Sequence, residues 1–491
     1  MYVGIDIGTQ SLKAVVTGED LLPRASVSQP YQPSFPRPGW AEQDPLLWER
    51  ALGPAIAACL VEANVAPHDV RGVGIGGQLD GCVAVDATGA ALGPCLIWMD
   101  RRAIDQMTDI PAGLVRRRTG IVPDAGHMAA KARWLKRHRP TWRVTTFHQP
   151  VSYMVARLTG AAVMDRALAS TTMVAALGAP GYDGQLLNLF GIEAGELPRI
   201  DEAASCAGLL HADGAALTGL PIGTPVAVGT GDDFTTPLGA GLVAPGRVAA
   251  VLGTAEVVGA IHDRPIVDDL DLVETHAYPG GAYFIENPGW LSGGAVAWLC
   301  ATLGLDGPDE LDRLAAATPI GADGLVFLPA LSGAMAPRWR PAARGCFYGL
   351  TAAHGRGHLA RAVLEGCAFA MRDVVDRLSA MGVPTDAILL LGGGARSRIW
   401  AQLRADIAAR HVTVPSRIDT APIGGAMLAA VASGGVDNLA TAAAMVGRDE
   451  ARSFAPERAN CSASDDAYHA YRQLFDALES IFVANAPRRS D

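Results

Sequence analysis

Positions 2–7 (Tyr, Val, Gly, Ile, Asp, Ile) are apolar apart from one glycine and one carboxylate, which predicts a buried strand. Gly8, Thr9, Gln10 and Ser11 predict a turn, and 12–16 a returning strand. Prolines at 23, 30, 33, 36 and 38 punctuate the next stretch too often for a central strand or a helix. Asp44 and Pro45 then supply an N-cap acceptor and an N1 proline, and apolar spacing carries a helix to about residue 60. Short strands are predicted at 73–75 and 82–85 around the glycine-rich turn 76–81. Residues 128–138 predict a helix whose basic C-terminal end suits the helix dipole.

A second block opens near Gly246. A strand over 247–252, a Gly253-Thr254 turn and a strand over 257–261 repeat the strand, Gly-Thr turn, strand order of the N-terminus. Helical spacing follows over 359–378, then an apolar strand at 387–391 ending in Gly392, Gly393 and Gly394, and a helix from 399. Strand, glycine turn and helix form a geometry suited to phosphate, because amide N–H groups and the helix dipole face the anion. We expect two α/β domains of related build, 1–246 and 247–485, with a hinge near 243–247.

Composition narrows the class. The 491 residues are 49% apolar, 18% charged and 6% aromatic, which excludes global disorder. A net charge of −10 without a basic block argues against nucleic acid and anionic membranes as partners. Eight scattered cysteines contain no CxxC pair, no apolar run approaches the roughly 18 residues of a membrane span, and no basic leader opens the chain. The expectation is a cytoplasmic protein.

Three motifs carry chemistry. Residues 72–77 satisfy GxGxxG, yet the sequence resumes a turn and strand where a dinucleotide fold opens a helix; a P-loop is absent. The two Gly-Thr hairpins offer another phosphate device. Asp6 stands beside the N–H and hydroxyl donors of Gly8, Thr9, Gln10 and Ser11 and the ammonium of Lys13, a set that fits phosphate oxygens and hydrated Mg²⁺. Taken alone, the first loop reads more simply as a hairpin with an Asp capping its turn; the second loop at Gly253-Thr254, able to face it across a cleft, favours the phosphate device. Asp232 and Asp233 follow a strand at 225–228 and precede a helix expected over 235–242, where they serve either proton abstraction or helix N-capping.

On these residues the chain resembles the FGGY-family carbohydrate kinases, nearest the xylulokinase branch, over about residues 1–480. The resemblance is carried by Asp6 to Thr9, Pro38 to Pro45, Ile97 to Arg102, Gly231 to Asp233, Leu252 to Thr254, Gly345 to Glu365 and Gly392 to Ser397. Lys131 and Trp134 fit the N-terminal signature, whereas Met128 and Ala132 depart from it. It implies an actin/hexokinase-type (ribonuclease H-like) fold with ATP, Mg²⁺ and a sugar in the interdomain cleft; a homodimer is compatible with it.

By resemblance, Asp232 is the catalytic base, and Asp6 with Asp232 holds Mg²⁺ through water. Gly8, Thr9, Gln10, Ser11, Lys13, Gly253, Thr254, Gly293, Gly393, Gly394 and Arg398 hold ATP. Gln78, Leu79, Asp80, Trp98, Asp100, Asp232 and Asp233 meet the sugar, with core packing the alternative for Trp98. The sugar itself is less defined. Asp80 stands where xylulokinases carry an imidazole, and Gly333 to Arg338 reads more like glycerol kinases. D-xylulose leads, with ribulose, ribitol, erythritol or glycerol as alternatives. A non-catalytic ATP-binding protein of the actin/heat-shock type is the competing class. If Asp80 only caps its own turn, its side chain faces solvent.

Overall fold

In the computed structural model, which describes residues 1–447 and 451–484, two seven-stranded sheets dominate. The first comprises β1 (Tyr2–Ile7), β2 (Ser11–Thr17), β3 (Pro23–Pro30), β4 (Gly72–Gly77), β5 (Cys206–Leu209), β6 (Pro225–Ala227) and β7 (Thr230–Gly231). Its order is β5-β6-β4-β1-β2-β3, with β7 paired to β4. The second comprises β8 (Gly246–Leu252), β9 (Ala255–His262), β10 (Glu274–Tyr278), β11 (Ala282–Leu291), β12 (Thr385–Leu391), β13 (His411–Pro415) and β14 (Ala451–Phe454), ordered β10-β11-β9-β8-β12-β13-β14. In each, an antiparallel hairpin (β1-β2, β8-β9) lies beside a parallel strand (β4, β12). The repeat in the sequence is a repeat in the fold.

Seven helices matter for the site: α1 (Pro45–Ala63), α2 (Met128–His138), α3 (Asp232–Gly239), α4 (Gly293–Leu303), α5 (Arg356–Ala380), α6 (Arg398–Ala408) and α7 (Ala421–Ala432). The Asp44 side chain accepts from the Leu46 amide, Pro45 takes N1, and Trp48, Leu52, Ile56 and Leu60 bury one stripe of α1. That stripe packs in one cluster with Val3, Ile5 and Ile7, while Tyr2 points into another. Both faces of β1 are therefore covered, which is why its sequence is nearly continuous in apolar residues. The proline-rich stretch does contribute a strand, β3, but at the sheet edge and with its prolines at the two ends. Helix α3 begins at Asp232, earlier than its expected start at 235, so both acids lie inside its first turn.

Helix α7 comes from the second half of the sequence yet lies on the first sheet. A Cβ on Gly74 would stand 2.0 Å from the carbonyl oxygen of Gly425, and one on Gly4 would stand 1.8 Å from that of Pro422. Only glycine permits so close an approach. One apolar cluster consequently joins Tyr2 and Phe234 to Ile261, Leu389 and Met427. A cut at 246, the first residue of β8, does not separate two cores, because the chain returns to the first sheet through α7; residue 485 lies outside the described residues.

This contact is open to a direct test. Gly74→Ala should cost about 1–3 kcal/mol or more through overpacking, seen as a lower urea midpoint. Gly184→Ala, whose Cβ meets nothing within 4 Å, should be close to neutral.

Candidate functional site

Three adjacent parallel strands end together. Asp6 on β1 pairs in register with Gly76 on β4, and Gly76 and Gly77 pair with Thr230 and Gly231 on β7. Asp6, the 78–80 loop and Asp232 thus emerge at neighbouring carboxyl ends, the edge at which open α/β sheets bind ligands. Gly231 is the N-cap of α3, no side chain caps the helix, and Asp232 and Asp233 occupy its first turn. The N-capping alternative therefore does not hold, although acids in a first turn suit the helix dipole.

The carboxylates repel one another in a desolvated place. Burial, then the charge of Asp232, pushes the pKa of Asp6 up to about 7. Burial, then Asp233, brings Asp232 up to about 7, and burial, then Asp80, does the same to Asp233. Lys13 is the nearby cation. It forms an ion pair of 2.9 Å with Asp419, which lies 406 residues away and just before α7. Burial opposes the Lys13 charge, but Asp419, Asp6 and Asp232 raise its pKa overall.

The turn after β1 has its carbonyls bound. Tyr31 Oη donates to Gly8 O at 2.8 Å, Gln43 Nε2 to Thr9 O at 2.6 Å, and the Tyr31 amide to Gln10 O at 2.9 Å. Trp98, 43% exposed and so not core, donates from Nε1 to Thr9 Oγ1 at 3.0 Å. With one lone pair engaged by Trp98, the Thr9 hydroxyl still has its own proton to direct at an anion. In the second half, Gly253 O accepts from the Gly293 amide, and Thr254 O accepts from those of Ser292 and Gly294. Cβ atoms on Gly392 and Gly394 would both strike Leu252, whereas one on Gly393 would meet open space. Gly253, Thr254, Gly293, Gly393 and Gly394 therefore cluster at the ends of β8 and β12. Arg398 starts α6, is exposed, and holds its guanidinium over Phe454 at 5.8 Å, so its side chain has an aromatic partner outside that cluster.

The 78–80 loop is built into its surroundings. Gln78 Nε2 donates to Gln43 Oε1 at 2.6 Å, and Leu79 is half-buried beneath Gly231. Asp80 has a left-handed φ of 62°; its amide donates to Gln149 Oε1 and its carbonyl accepts from Lys131 Nζ, each at 2.8 Å. The Asp80 side chain is only 14% exposed, its Oδ1 is buried and its Oδ2 is 3.1 Å from His127 Nδ1, so it is not a solvent-facing turn cap. Asp100 needs correcting. It is fully buried, and its oxygens accept from the Ala41 amide at 2.7 Å and from Arg102 Nε and Nη2 at 2.7–2.9 Å. A carboxylate so occupied braces the Trp40 loop and has no capacity left for a sugar.

Several residues went unsuspected from sequence. Glu274 and Glu286 face each other across β10 and β11, with His276 Nε2 3.7 Å from one and 3.5 Å from the other. Burial, then Asp233, raises the Glu286 pKa well above its ordinary value, which marks this strand of the second half as facing the acids of the first. Charged residues at alternate positions of an apolar strand were the available signal. Among the described residues, no three His, Cys, Asp or Glu side chains gather closely enough to enclose a metal ion. A divalent cation here would depend on one or two carboxylates plus phosphate oxygens, and Asp6 fits: its Oδ1 is buried without a hydrogen-bond partner.

The comparisons with known proteins agree on one family. Residues 1–239 match the N-terminal domain, and 248–433 the C-terminal domain, of the FGGY family of carbohydrate kinases. The chain is 31% identical to xylulose kinase of Escherichia coli K12, over 88% of this chain and 90% of that one. It is 34% identical to glycerol kinase of Citrifermentans bemidjiense, over 90% and 92%. Among solved structures it superposes on a xylulose kinase from Rhodospirillum rubrum with a TM-score of 0.89 at 30% identity, covering 98% of this chain and 99% of that one. The fold is thus the expected two-domain actin/hexokinase type. No helix among the described residues is long and apolar enough to cross a membrane.

Burying mutually repelling carboxylates must cost stability. A carboxyl whose folded-state pKa exceeds its unfolded value favours folding at low pH, and that contribution fades as pH rises through the folded pKa of about 7. Asp232→Asn should therefore raise Tm at pH 8, with the gain shrinking towards pH 5. Melting curves at both pH values test this; a Tm lowered at pH 8 would contradict the electrostatic reading.

Proposed function

This chain belongs to the FGGY family of carbohydrate kinases, and we propose that it phosphorylates a small ketose, D-xylulose first among them, with Asp232 as the base. It is an ATP-dependent sugar kinase. What carries the residue assignment is Asp232 itself, placed beside Asp6 at the strand ends with a pKa pushed up to about 7. A base poised near the working pH combines a useful ionised fraction with adequate driving force for proton transfer. Asp232 takes the proton of the attacking hydroxyl, and the oxygen displaces ADP from the γ-phosphorus. Gly8, Thr9, Gln10, Ser11, Lys13, Gly253 and Thr254 position the phosphates, while Gly293, Gly393 and Gly394 shape the adenosine end. Asp6 and Asp232 would hold Mg²⁺ through water, and the ion when bound neutralises phosphate charge. Gln78, Asp80, Trp98 and Asp233 meet the acceptor, and closure around it excludes water as a competing nucleophile.

A polyol is the second reading. Similarity to glycerol kinases, at 34% identity, is comparable to that to xylulose kinases, at 31%, and the Asp80 carboxylate recognises hydroxyls as an acceptor only.

ADP release should be measured with D-xylulose, D-ribulose, ribitol, erythritol and glycerol. Turnover on D-xylulose at least tenfold above the others supports the first reading; preference for glycerol or erythritol supports the second. Asp232→Ala should lower kcat by ~10²- to 10⁴-fold with ATP binding retained. A variant keeping a tenth of the activity would sink the assignment. For the free wild-type enzyme, the acid limb of kcat/KM should rise with pH through about 7 as the acid cluster ionises.

A further inference from the structure

His127 precedes α2 and belongs to none of the groups assigned so far, yet its ring stands between two acceptors. Nδ1 is 3.1 Å from Asp80 Oδ2, an ion-pair contact without hydrogen-bond alignment, and Nε2 is 3.3 Å from the carbonyl oxygen of Val122, within hydrogen-bond geometry. A neutral imidazole carries one N–H and one lone pair, so either tautomer would aim a lone pair at an acceptor. Only the imidazolium turns a proton toward each, and its charge faces the carboxylate. The residue is buried, at 8% exposure, so water does not supply the missing donor. Asp80 Oδ2 is therefore engaged inside the protein, while Oδ1 is buried and has no hydrogen-bond partner. Asp80 is fixed at its other ends too, by Gln149 on the amide and Lys131 on the carbonyl.

We propose that His127 is the positioning residue of the acceptor pocket: as an imidazolium it ties down one oxygen of Asp80, so that the other reads a single hydroxyl of the sugar or polyol. This rests on the reading that Asp80 contacts the acceptor.

The charges around the pair support it. Burial disfavours a charged His127, and Lys131 and the N-terminal end of α2 disfavour it further, but Asp80 and Glu274 outweigh them and its pKa is raised. Burial likewise opposes an ionised Asp80, yet His127, Lys131 and the Thr171 hydroxyl hold its pKa below the ordinary value. Asp233 and Glu286 face Asp80 from α3 and β11, and Arg101 from the preceding loop, so the pair sits among acids whose repulsion it offsets.

The test uses D-xylulose, or glycerol if that is the better acceptor. Wild-type kcat/KM should fall on the alkaline side as His127 loses its proton, at a pH above the ordinary ~6.5. His127→Gln should raise the acceptor KM roughly tenfold or more, leave the ATP KM unchanged, and remove that alkaline fall. Asp80→Asn, which dissolves the same pair, should also remove it, and His127→Gln should add little to Asp80→Asn in a double-mutant cycle. If His127→Gln keeps the alkaline fall and an acceptor KM within about twofold while Asp80→Asn is impaired, the positioning role fails and the Asp80 reading stands. If Asp80→Asn changes neither acceptor KM nor kcat, both fail together. Should His127→Gln not fold, the alkaline limb of Asp80→Asn against wild type decides alone: its persistence overturns the proposal.

Discussion

The contact between α7 and the first sheet sets the relation of everything else. Gly4, Gly74 and Gly425 remove the side chains from both surfaces, so a helix from the second half rests on the backbone of the first. The chain thus crosses between the halves at 240–247, again into α7, and back to the second sheet by β14. The second also delivers Asp419 to Lys13, so the cation beside the strand-end acids is held from the opposite half of the sequence.

Around that frame, charge is distributed unevenly. Asp6, Asp232 and Asp233 are desolvated and raise one another's proton affinity, with Lys13 shared between them and Asp419. Such a site is incomplete without further positive charge, which a nucleotide's divalent ion brings. The second Gly-Thr turn is fixed differently. Two residues beyond Thr254, Glu256 forms a fully buried two-pronged pair with Arg404 of α6 at 2.5 and 2.7 Å, and Arg404 lies over Trp400 at 4.7 Å. A buried pair like this adds little net stability compared with apolar packing, but breaking it would leave a charge stranded. Its evident effect is to register β9 against α6, and so the Thr254 turn against the glycines after β12.

Much of this was legible in the sequence, for local reasons. The proline and cap of α1, the apolar run of β1 and the Gly-Thr turns each encode their structure within a few residues, and the structure reproduces them. What stayed hidden depends on distant partners. The partner of Asp80 is 47 positions away at His127, and that of Lys13 is further still. Helix α7 is buried nearly all round, so its sequence gives no apolar stripe to show which sheet it covers. Asp100 was misread for the opposite reason. Its partner Arg102 lay two residues off, and a carboxylate flanked by an arginine on a Trp-Met-Asp-Arg-Arg run is as readily a brace as a sugar contact.

The two ends of the site differ in one further respect that bears on the acceptor. At the phosphate end the acids lack enough cations. Around the 78–80 loop, Asp80 is matched by His127, Lys131 is bound to backbone carbonyls of Asp80 and Gly126, and Arg101 is paired with Asp124. Across the cleft, Glu274 and Glu286 flank His276. Each cation there already has an anion or carbonyl, and the surplus is acidic. A sugar acid would have to bury its carboxylate with no partner, at a cost of several kcal/mol or by taking up a proton. A neutral ketose or polyol pays no such penalty and offers hydroxyl donors to carboxylate acceptors. With the 78–80 loop as the proposed acceptor pocket, this charge pattern favours an uncharged acceptor, whichever hydroxyl arrangement proves to be its own.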